Sequence, residues 1–341
     1  KHPDMRIKIE EFSRREPENP KIRLATELMS GKGPDVIAFD RRYFDSLYKA
    51  ATSGAFYDLN ELMSKDTKLN MADFNPELMK WGVYNGKRYF VPLSANARFI
   101  CSTKEALDAN KIKLENCSLK EFGDIVKRYM EENRGENAYF FDSDFTFRDI
   151  LNASGLKIID YENKQTFFKT KEFIDLMVFF KDINETVLPK DVEKNIIDIK
   201  LINEGKLVAC MDYIGSFNDL WTINSNFKSL AGGELIFYPI PTYRESSDIL
   251  VTFREGAAIN SAAKNKEAAY EIVKLLMSLE MHNASGYKVI SGFPVNKRVF
   301  VADRAENVPG KSGSSNFYAF GEDGSLMEMV QQHPLSEELA L

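Results

Sequence analysis

The sequence is poor in the cysteines and histidines that build zinc sites and disulfide frameworks, and it has no net positive charge. Its 341 residues include only three cysteines, three histidines and two tryptophans. The odd number and wide spacing of Cys101, Cys117 and Cys210 fit neither a zinc site nor a dense disulfide framework. Acidic residues outnumber basic ones by 51 to 45, for a net charge of -6, which argues against a nucleic-acid partner because phosphates require a basic face. No apolar run reaches the roughly 18 residues of a membrane-spanning helix.

What is present is the composition of a globular protein with a large core. Hydrophobic residues make up 44% and charged residues 28% of the chain, with 25 Phe and 14 Tyr. A chain of this length predicts two lobes rather than one core. Its start, Lys1-His2-Pro3-Asp4, has no charged and apolar leader pattern, so we expect the sequence to begin inside a domain.

The first forty residues predict a β–α–β unit. Alternation of Ile7, Ile9 and Phe12 predicts a strand at 6–12, and a helix is expected at 22–29. Pro34 then opens the apolar run 35–39, which is typical of a strand buried on both faces. Such a unit indicates an open α/β sheet.

Further elements follow from local signals. Asn85-Gly86 predicts a hairpin turn, and Ser118 with Glu121 forms a capping box for a helix at 119–132. The apolar pattern at 265–279 predicts another amphipathic helix. Cys101 and Cys210 lie in apolar strand-like runs, where we expect small buried hydrophobes; a disulfide or a reactive thiol is the alternative.

Six segments together resemble the family 1 extracellular solute-binding proteins, which include maltose- and oligosaccharide-binding receptors. Their order and spacing carry the resemblance over about residues 3–297, because each segment alone is a weak signal. The segments are Gly31-Lys32-Gly33-Pro34-Asp35-Val36-Ile37, Gly54-Ala55-Phe56-Tyr57-Asp58-Leu59, Tyr84-Asn85-Gly86-Lys87-Arg88-Tyr89-Phe90-Val91-Pro92, Glu204-Gly205-Lys206-Leu207-Val208-Ala209-Cys210-Met211, Lys264-Asn265-Lys266-Glu267-Ala268-Ala269 and Gly292-Phe293-Pro294-Val295-Asn296-Lys297.

The resemblance implies a two-lobed α/β fold of the periplasmic-binding-protein type II. Each lobe would be an open, mostly parallel sheet flanked by helices, with the ligand cleft at the hinge. We expect lobe I at 1–97 plus 255–290 and lobe II at 98–254 plus 291–341, with crossings near 96–99, 251–255 and Gly292. Family members open with a strand and a helix that have no match here, so lobe I is expected to lack the strand between 6–12 and 35–39.

The implied function is that of an extracytoplasmic receptor, either a cell-surface lipoprotein or a periplasmic protein. It would close on a small polar ligand, expected to be a sugar or oligosaccharide, and deliver it to the permease subunits of an ABC importer. We expect a monomer that uses no cofactor, metal or catalytic residue. The alternatives are a sensor domain of a signalling system and a thiaminase-like enzyme on the same fold, for which a cysteine nucleophile would be needed.

Several ligand-binding candidates belong to the lobe I side and the crossings. Asp40 and Arg41 follow the predicted strand 35–39, although Asp40 is equally suited to cap a helix. The resemblance places a ligand-contacting acid or amide at Asn96, and Arg98 lies beside it; bonding within the hinge is the alternative. Arg254 and Glu255 are further candidates, with a charged pair bracing the hinge as the other interpretation.

The remaining candidates come from lobe II. Asp144 and Phe145 precede a predicted helix where the family supplies stacking and polar contacts, although Asp144 alternatively caps that helix. The turn after the strand 207–212 contributes Tyr213, Ser216 and Phe217, and the family stacks a sugar ring on an aromatic at the position of Phe217. Burial of Phe217 in the core is the competing interpretation. Charged candidates of both signs leave the ligand open between a neutral polyol, an oligosaccharide and an acidic sugar.

Overall fold

The computed structural model describes most of the chain between residues 5 and 306. The described residues are 5–10, 20–44, 46–135, 138–141, 146–161, 163–187, 206–217, 219–220, 223, 235–241, 250–283, 291–306, 319–320 and 326–327. None of the helices in these ranges is long and apolar enough to cross a membrane.

Ten α-helices are present in the described residues. They are α1 (Pro20–Met29), α2 (Leu47–Ala50), α3 (Asn60–Lys65), α4 (Lys104–Ala109), α5 (Leu119–Glu132), α6 (Phe147–Ser154), α7 (Lys171–Val187), α8 (Lys266–Leu276), α9 (Leu279–Asn283) and α10 (Lys297–Glu306). Short 3-10 helices occur at Arg41–Tyr43, Met71–Asp73 and Leu78–Lys80, and a π-helical turn at Ala51–Ala55.

The strands include two long ones, β4 and β10, and several very short ones. They are β1 (Val36–Asp40), β2 (Val83–Tyr84), β3 (Lys87–Arg88), β4 (Val91–Thr103), β5 (Tyr139–Phe141), β6 (Ile159–Asp160), β7 (Gln165–Thr166), β8 (Leu207–Ile214), β9 (Leu235–Pro239), β10 (Leu250–Ile259), β11 (Phe293–Pro294), β12 (Ala319–Phe320) and β13 (Leu326–Met327).

The chain divides into two compact units. Unit I comprises 1–96 and 252–305, and unit II comprises 97–251 and 306–341. Both divisions in the middle of the chain fall inside a long strand, at 96/97 in β4 and at 251/252 in β10. Residues 291–305 belong to unit I because β11 pairs with β4 at Ala95 and Ser94, whereas the sequence analysis assigned 291–341 to lobe II. The assignment of these units to ligand-binding lobes stays a prediction.

Unit I packs an aromatic core beneath β1 and β10. These strands pair antiparallel, from Val36 opposite Ile259 to Asp40 opposite Glu255. The rings of Phe39 and Phe90 lie 5.6 Å apart, and those of Phe90 and Phe253 lie 5.2 Å apart, at the separations that aromatic pairs favour. Part of the high phenylalanine content is therefore explained by this core of unit I.

Unit II is built around the second half of β4. This segment pairs antiparallel with β8 on one side and with β9 on the other, and β5 runs parallel to β8. Helices α5 and α7 cover the sheet, with Phe122, Val126 and Leu176 buried in its core. The capping box predicted at Ser118 and Glu121 is confirmed at the start of α5.

The α/β class is confirmed, with one difference in the sheet. The described strands form a mixed sheet instead of a mostly parallel one: β5 and β8 run parallel, whereas β1–β10, β4–β8, β4–β9 and β4–β11 are antiparallel pairs. The long strands cause the difference, because β4 runs antiparallel to β8, β9 and β11, and β10 runs antiparallel to β1.

The strand predicted at 6–12 is wrong over its described part, 6–10. These residues have no regular structure, and Ile7 and Ile9 are 54% and 88% exposed. Alternating apolar residues form a strand only where one face is buried, and within the described residues 6–10 both Ile7 and Ile9 are exposed. Among the described strands, β1 pairs with β10 alone, so the expectation of a missing neighbour for β1 stays open.

Candidate functional site

The polar candidates of unit I converge at the end of β1 and in the middle of β10 and β4. Asp40 is the last residue of β1 and lies opposite Glu255 on β10. Ser94 and Asn96 lie on β4, which neighbours β10, and Ser291 precedes β11. We call Asp40, Arg42, Ser94, Asn96, Arg254, Glu255 and Ser291 the unit I cluster.

Glu255 is the centre of this cluster. Its Oε2 accepts hydrogen bonds from the Ser291 amide at 2.8 Å and from the Ser94 hydroxyl at 3.0 Å, and its Oε1 accepts from the Ser291 hydroxyl at 2.6 Å. The Ser94 Oγ also lies 2.7 Å from the Ser291 carbonyl oxygen, so its proton has two acceptors within reach. Burial raises the pKa of the Glu255 carboxyl, and the bonds from Ser291 and Ser94 and the charge of Arg254 offset only part of that effect.

Arg254 extends the network. Its Nε donates to the Ser291 hydroxyl at 3.0 Å, and its Nη1 lies 3.4 Å from the Asn96 Oδ1. Arg254 and Glu255 are therefore joined through Ser291, and not as the charged pair considered from the sequence. A hydroxyl that accepts from a guanidinium and donates to a carboxylate fixes both groups in position.

Gly292 makes this arrangement possible. Its φ of +113° is in the region that favours glycine, and a Cβ there would lie 2.9 Å from the Ser94 Oγ and 3.1 Å from the Ala95 carbonyl oxygen. The backbone of 291–292 thus approaches β4 more closely than any side chain would permit.

Asp40 caps a short helix, one of the two roles considered for it, and its ligand contact stays a prediction. Its Oδ1 accepts from the Arg42 backbone amide at 2.8 Å and so caps the 3-10 helix Arg41–Tyr43. The Arg42 guanidinium also binds both carboxylate oxygens, at 2.9 and 2.7 Å. Partial burial opposes ionisation, but the hydrogen bonds and charge of Arg42 lower the pKa of Asp40. Arg41 lies partly exposed in the same short helix, and its predicted ligand contact stays a prediction.

In unit II, Arg98 and Tyr213 form a cation–aromatic pair. They face each other on β4 and β8, and the Arg98 Nη1 donates to the Tyr213 Oη at 3.0 Å. The guanidinium carbon lies 4.4 Å from the ring centroid, well within the range of a cation–π contact. Arg98 is only 5% exposed, whereas Tyr213 is 38% exposed.

The turn after β8 is closed by its own hydrogen bonds. The Gly215 amide donates to the Asp219 Oδ2 at 2.8 Å, and the Asp219 amide donates to the Ser216 Oγ at 3.2 Å. Phe217 is 5% exposed, which agrees with the core alternative for that ring. The ligand roles of Ser216 and Phe217 stay predictions, while Asp144 and Phe145 lie outside the described residues.

Three participants were missed by the sequence reasoning. Ser94, Ser291 and Arg42 are ordinary residues in the sequence, and only strand pairing brings the two serines to one carboxylate. Position offered one signal, because Ser94 is the second residue after the quoted Val91-Pro92 and Ser291 directly precedes Gly292.

The three cysteines are free thiols in the structure. Cys101 and Cys210 lie opposite each other on β4 and β8, both buried, and no disulfide joins them. Partial burial, reinforced by the charge of Glu121, raises the pKa of the Cys117 thiol to about 11, which keeps it protonated. Within the described residues, no group of three or more His, Cys, Asp or Glu side chains is placed to hold a metal ion.

Two α/β units whose strands carry hydroxyl, amide and guanidinium groups have the architecture of a protein that binds a polar solute. Residues 1–281 match the bacterial extracellular solute-binding protein family, and the chain belongs to that family. The resemblance carried by the six sequence segments is thereby confirmed. The family consists of solute-binding proteins of ABC transporters, so the class of function follows from membership.

Solved structures support the fold at low sequence identity. A solute-binding protein from Thermotoga lettingae bound with α-D-tagatose is 16% identical, with a TM-score of 0.55 over 84% of this chain and 73% of that one. A family 1 protein from Alicyclobacillus acidocaldarius is 17% identical, with a TM-score of 0.58 over 86% and 72% of the two chains. The GacH receptor of Streptomyces glaucescens, determined with acarbose, is 18% identical, with a TM-score of 0.56 over 82% and 70%. No individually curated protein matched significantly.

Proposed function

We propose that this protein is the sugar receptor of an ABC importer, and that its ligand is a neutral sugar or oligosaccharide. Family membership over residues 1–281 is the observation that carries the proposal. Proteins of similar fold were determined with tagatose, acarbose and cycloalternan. The proposal includes an extracytoplasmic location, closure of the units on the ligand and transfer of the ligand to permease subunits.

The charges of the unit I cluster favour a neutral ligand. Asp40 and Glu255 are balanced by Arg42 and Arg254, and these groups lie close enough to influence one another's ionisation. A site with balanced, hydrogen-bonded charges offers donors and acceptors without a net field that would select an ion. Hydroxyl groups, which donate and accept, match such a surface.

The sensor alternative has the same ligand chemistry and differs only in its partner. For the enzyme alternative, the raised pKa of Cys117 is unfavourable, because the thiolate is the reactive form. The transport receptor is therefore the function that the described residues support best.

The proposal is tested by titration calorimetry against a panel of D-tagatose, maltotriose and acarbose, with free amino acids and dipeptides as the other solute classes. We expect at least one sugar to bind with a Kd in the micromolar range or below. Arg254→Ala should weaken that binding at least tenfold, because it removes the donor group of the cluster. Lys65→Ala, which removes an exposed ion pair with Glu61, is the matched control and should bind as the wild type does. Binding of amino acids or dipeptides, and of no sugar, would contradict the proposal.

A further inference from the structure

The aromatic residues after β8 differ in their access to solvent. The resemblance favours Phe217 as the stacking residue, yet Phe217 is 5% exposed and Tyr213, at the end of the same strand, is 38% exposed. We propose that Tyr213 is the aromatic that contacts the ligand in unit II, and that Arg98 is a positioning residue that holds its ring. This inference rests on the proposed function.

The position of Tyr213 fits a ligand contact. It is the penultimate residue of β8, and β5 runs parallel to β8 with Phe141 opposite Ala209. In α/β sheets, ligands bind outside the carboxyl ends of such strands. Tyr213 therefore combines the correct end of the sheet with an exposed side chain, whereas Phe217 is withdrawn into the core of unit II.

Arg98 fixes the ring by two contacts made by one group. The guanidinium lies over the ring, 4.4 Å from its centroid, while its Nη1 donates to the phenol oxygen at 3.0 Å. The stacking contact restricts the tilt of the ring, and the hydrogen bond fixes the position of its hydroxyl. A ring held in this way loses little freedom when a ligand stacks on it, so more of the contact energy is retained as affinity.

The exposed ring defines what the ligand must offer. The Tyr213 oxygen accepts the bond from Arg98, because an arginine only donates. The ring itself would stack on the apolar face of a cyclic sugar. An acyclic polyol with the same hydroxyl groups has no such face, so ring-shaped sugars are the expected substrate class.

The test is a double-mutant cycle with the tightest-binding sugar of the panel of D-tagatose, maltotriose and acarbose. Tyr213→Ala should weaken binding at least tenfold, and Tyr213→Phe about threefold, because it keeps the ring and loses the hydroxyl. Arg98→Met should weaken binding about fivefold in the wild type and by less than 1.5-fold in the Tyr213→Ala background, because Arg98 acts through the ring. Arg98→Lys serves as the conservative variant if Arg98→Met does not fold, and circular dichroism checks folding.

Tyr161→Ala is the matched control, because it removes a unit II tyrosine that is 46% exposed and lies outside the candidate residues, and it should leave Kd within twofold. Phe217→Leu, which keeps a buried apolar side chain, tests the competing assignment. A larger loss for Phe217→Leu than for Tyr213→Ala would overturn the assignment of the contact. An equal loss for Arg98→Met with and without Tyr213 would show that Arg98 contacts the sugar directly and overturn the positioning role.

A measurement without ligand separates this inference from the proposed function. The ring carbon signals of Tyr213, assigned by their loss in Tyr213→Phe, should shift in Arg98→Met because the stacked guanidinium is gone. Unchanged signals would overturn the positioning role whatever the ligand is. If the signals shift but no sugar binds the wild type, the proposed function fails, and the assignment of Tyr213 as a sugar contact fails with it, while the pairing with Arg98 stands.

Discussion

The unit I cluster and the Arg98–Tyr213 pair of unit II hold their charged side chains in position by different contacts. In unit I, the Glu255 carboxylate accepts three hydrogen bonds from Ser94 and Ser291, and Arg254 donates to the Ser291 hydroxyl. In unit II, one buried guanidinium uses an aromatic ring and its hydroxyl as partners. Hydrogen bonds in unit I fix polar groups in position, whereas the contact in unit II fixes a ring.

This difference matters for recognition of a sugar, which has hydroxyl groups around an apolar ring face. Directional donors and acceptors select the pattern of hydroxyls, because an unmatched buried polar group costs free energy. An aromatic face selects the ring and is tolerant of the hydroxyl pattern. We therefore expect changes in unit I to alter which sugar binds and changes at Tyr213 to alter how tightly every sugar binds.

The largest expected effect separates the two aromatic residues of unit II. Phe217→Ala should lower the free energy of unfolding by about 3–5 kcal/mol, as truncation of a buried Phe does. Tyr213→Ala should cost less, about 1–3 kcal/mol, because that side chain is partly in solvent but its removal takes the hydroxyl acceptor from the buried Arg98 guanidinium. Urea denaturation of both variants measures the two values. A small loss for Phe217→Ala would return that ring to the candidate site.

The next prediction breaks the unit I cluster without touching a charged group. Gly292→Ala combines a strained φ of +113° with a contact of 2.9 Å to the Ser94 Oγ, and should cost about 2 kcal/mol or more. Gly54→Ala is the matched control in the same unit, since its φ is +86° but no atom lies within 4 Å of the added carbon. It should cost only about 1 kcal/mol. Equal losses in thermal or urea denaturation would show that the close approach to β4 contributes nothing.

The smallest expected effect concerns pH and has opposite signs at two neighbouring carboxylates. The pKa of Glu255 is raised by burial, so its contribution to stability is greatest below the unfolded value of about 4.3 and declines as pH rises through the folded value. Burial raises the pKa of Asp40, but the hydrogen bonds and the charge of Arg42 lower it by more, so the net effect is a lowered pKa. Its contribution is present above about 3.9 and is lost as pH falls.

Thermal unfolding of Glu255→Gln and Asp40→Asn between pH 3 and 7 measures these contributions. The melting temperature of the wild type minus that of Glu255→Gln should decrease as pH rises. The corresponding difference for Asp40→Asn should increase over the acidic part of the range. Two differences that change with pH in the same direction would contradict the assigned environments.

Prediction from the sequence was most successful where local signals and burial agree. Ser118 and Glu121 define the start of α5, and the positive φ of Asn85 and Gly86 forms the predicted hairpin turn between β2 and β3. The strand expected at 6–12 failed over its described part, 6–10, because periodicity predicts which face would be buried but not whether another element covers that face. Local pattern is informative only where tertiary structure supplies the partner.

The candidate site was harder to predict because its bonds join residues distant in sequence. Ser94 reaches Glu255 across 161 residues and Ser291 across 197, and serine has no pattern that announces such a role. Arg254 and Glu255 were found by position, but their link through Ser291 depends on the approach of the backbone at Gly292. Position in the turn favoured Phe217, whereas its low exposure of 5% is a property of the folded unit that the sequence of the turn does not show.

The central claim is that the protein receives a neutral sugar, and native mass spectrometry tests it most directly. The purified wild-type protein would be incubated with an equimolar mixture of D-tagatose, maltotriose, acarbose, free amino acids and dipeptides, and its mass compared with that of the protein alone. We predict an increase by the mass of one sugar, at a stoichiometry of one per chain, and a weaker adduct for Tyr213→Ala. An increase by an amino acid or a dipeptide, or no adduct under conditions that preserve the fold, would contradict it.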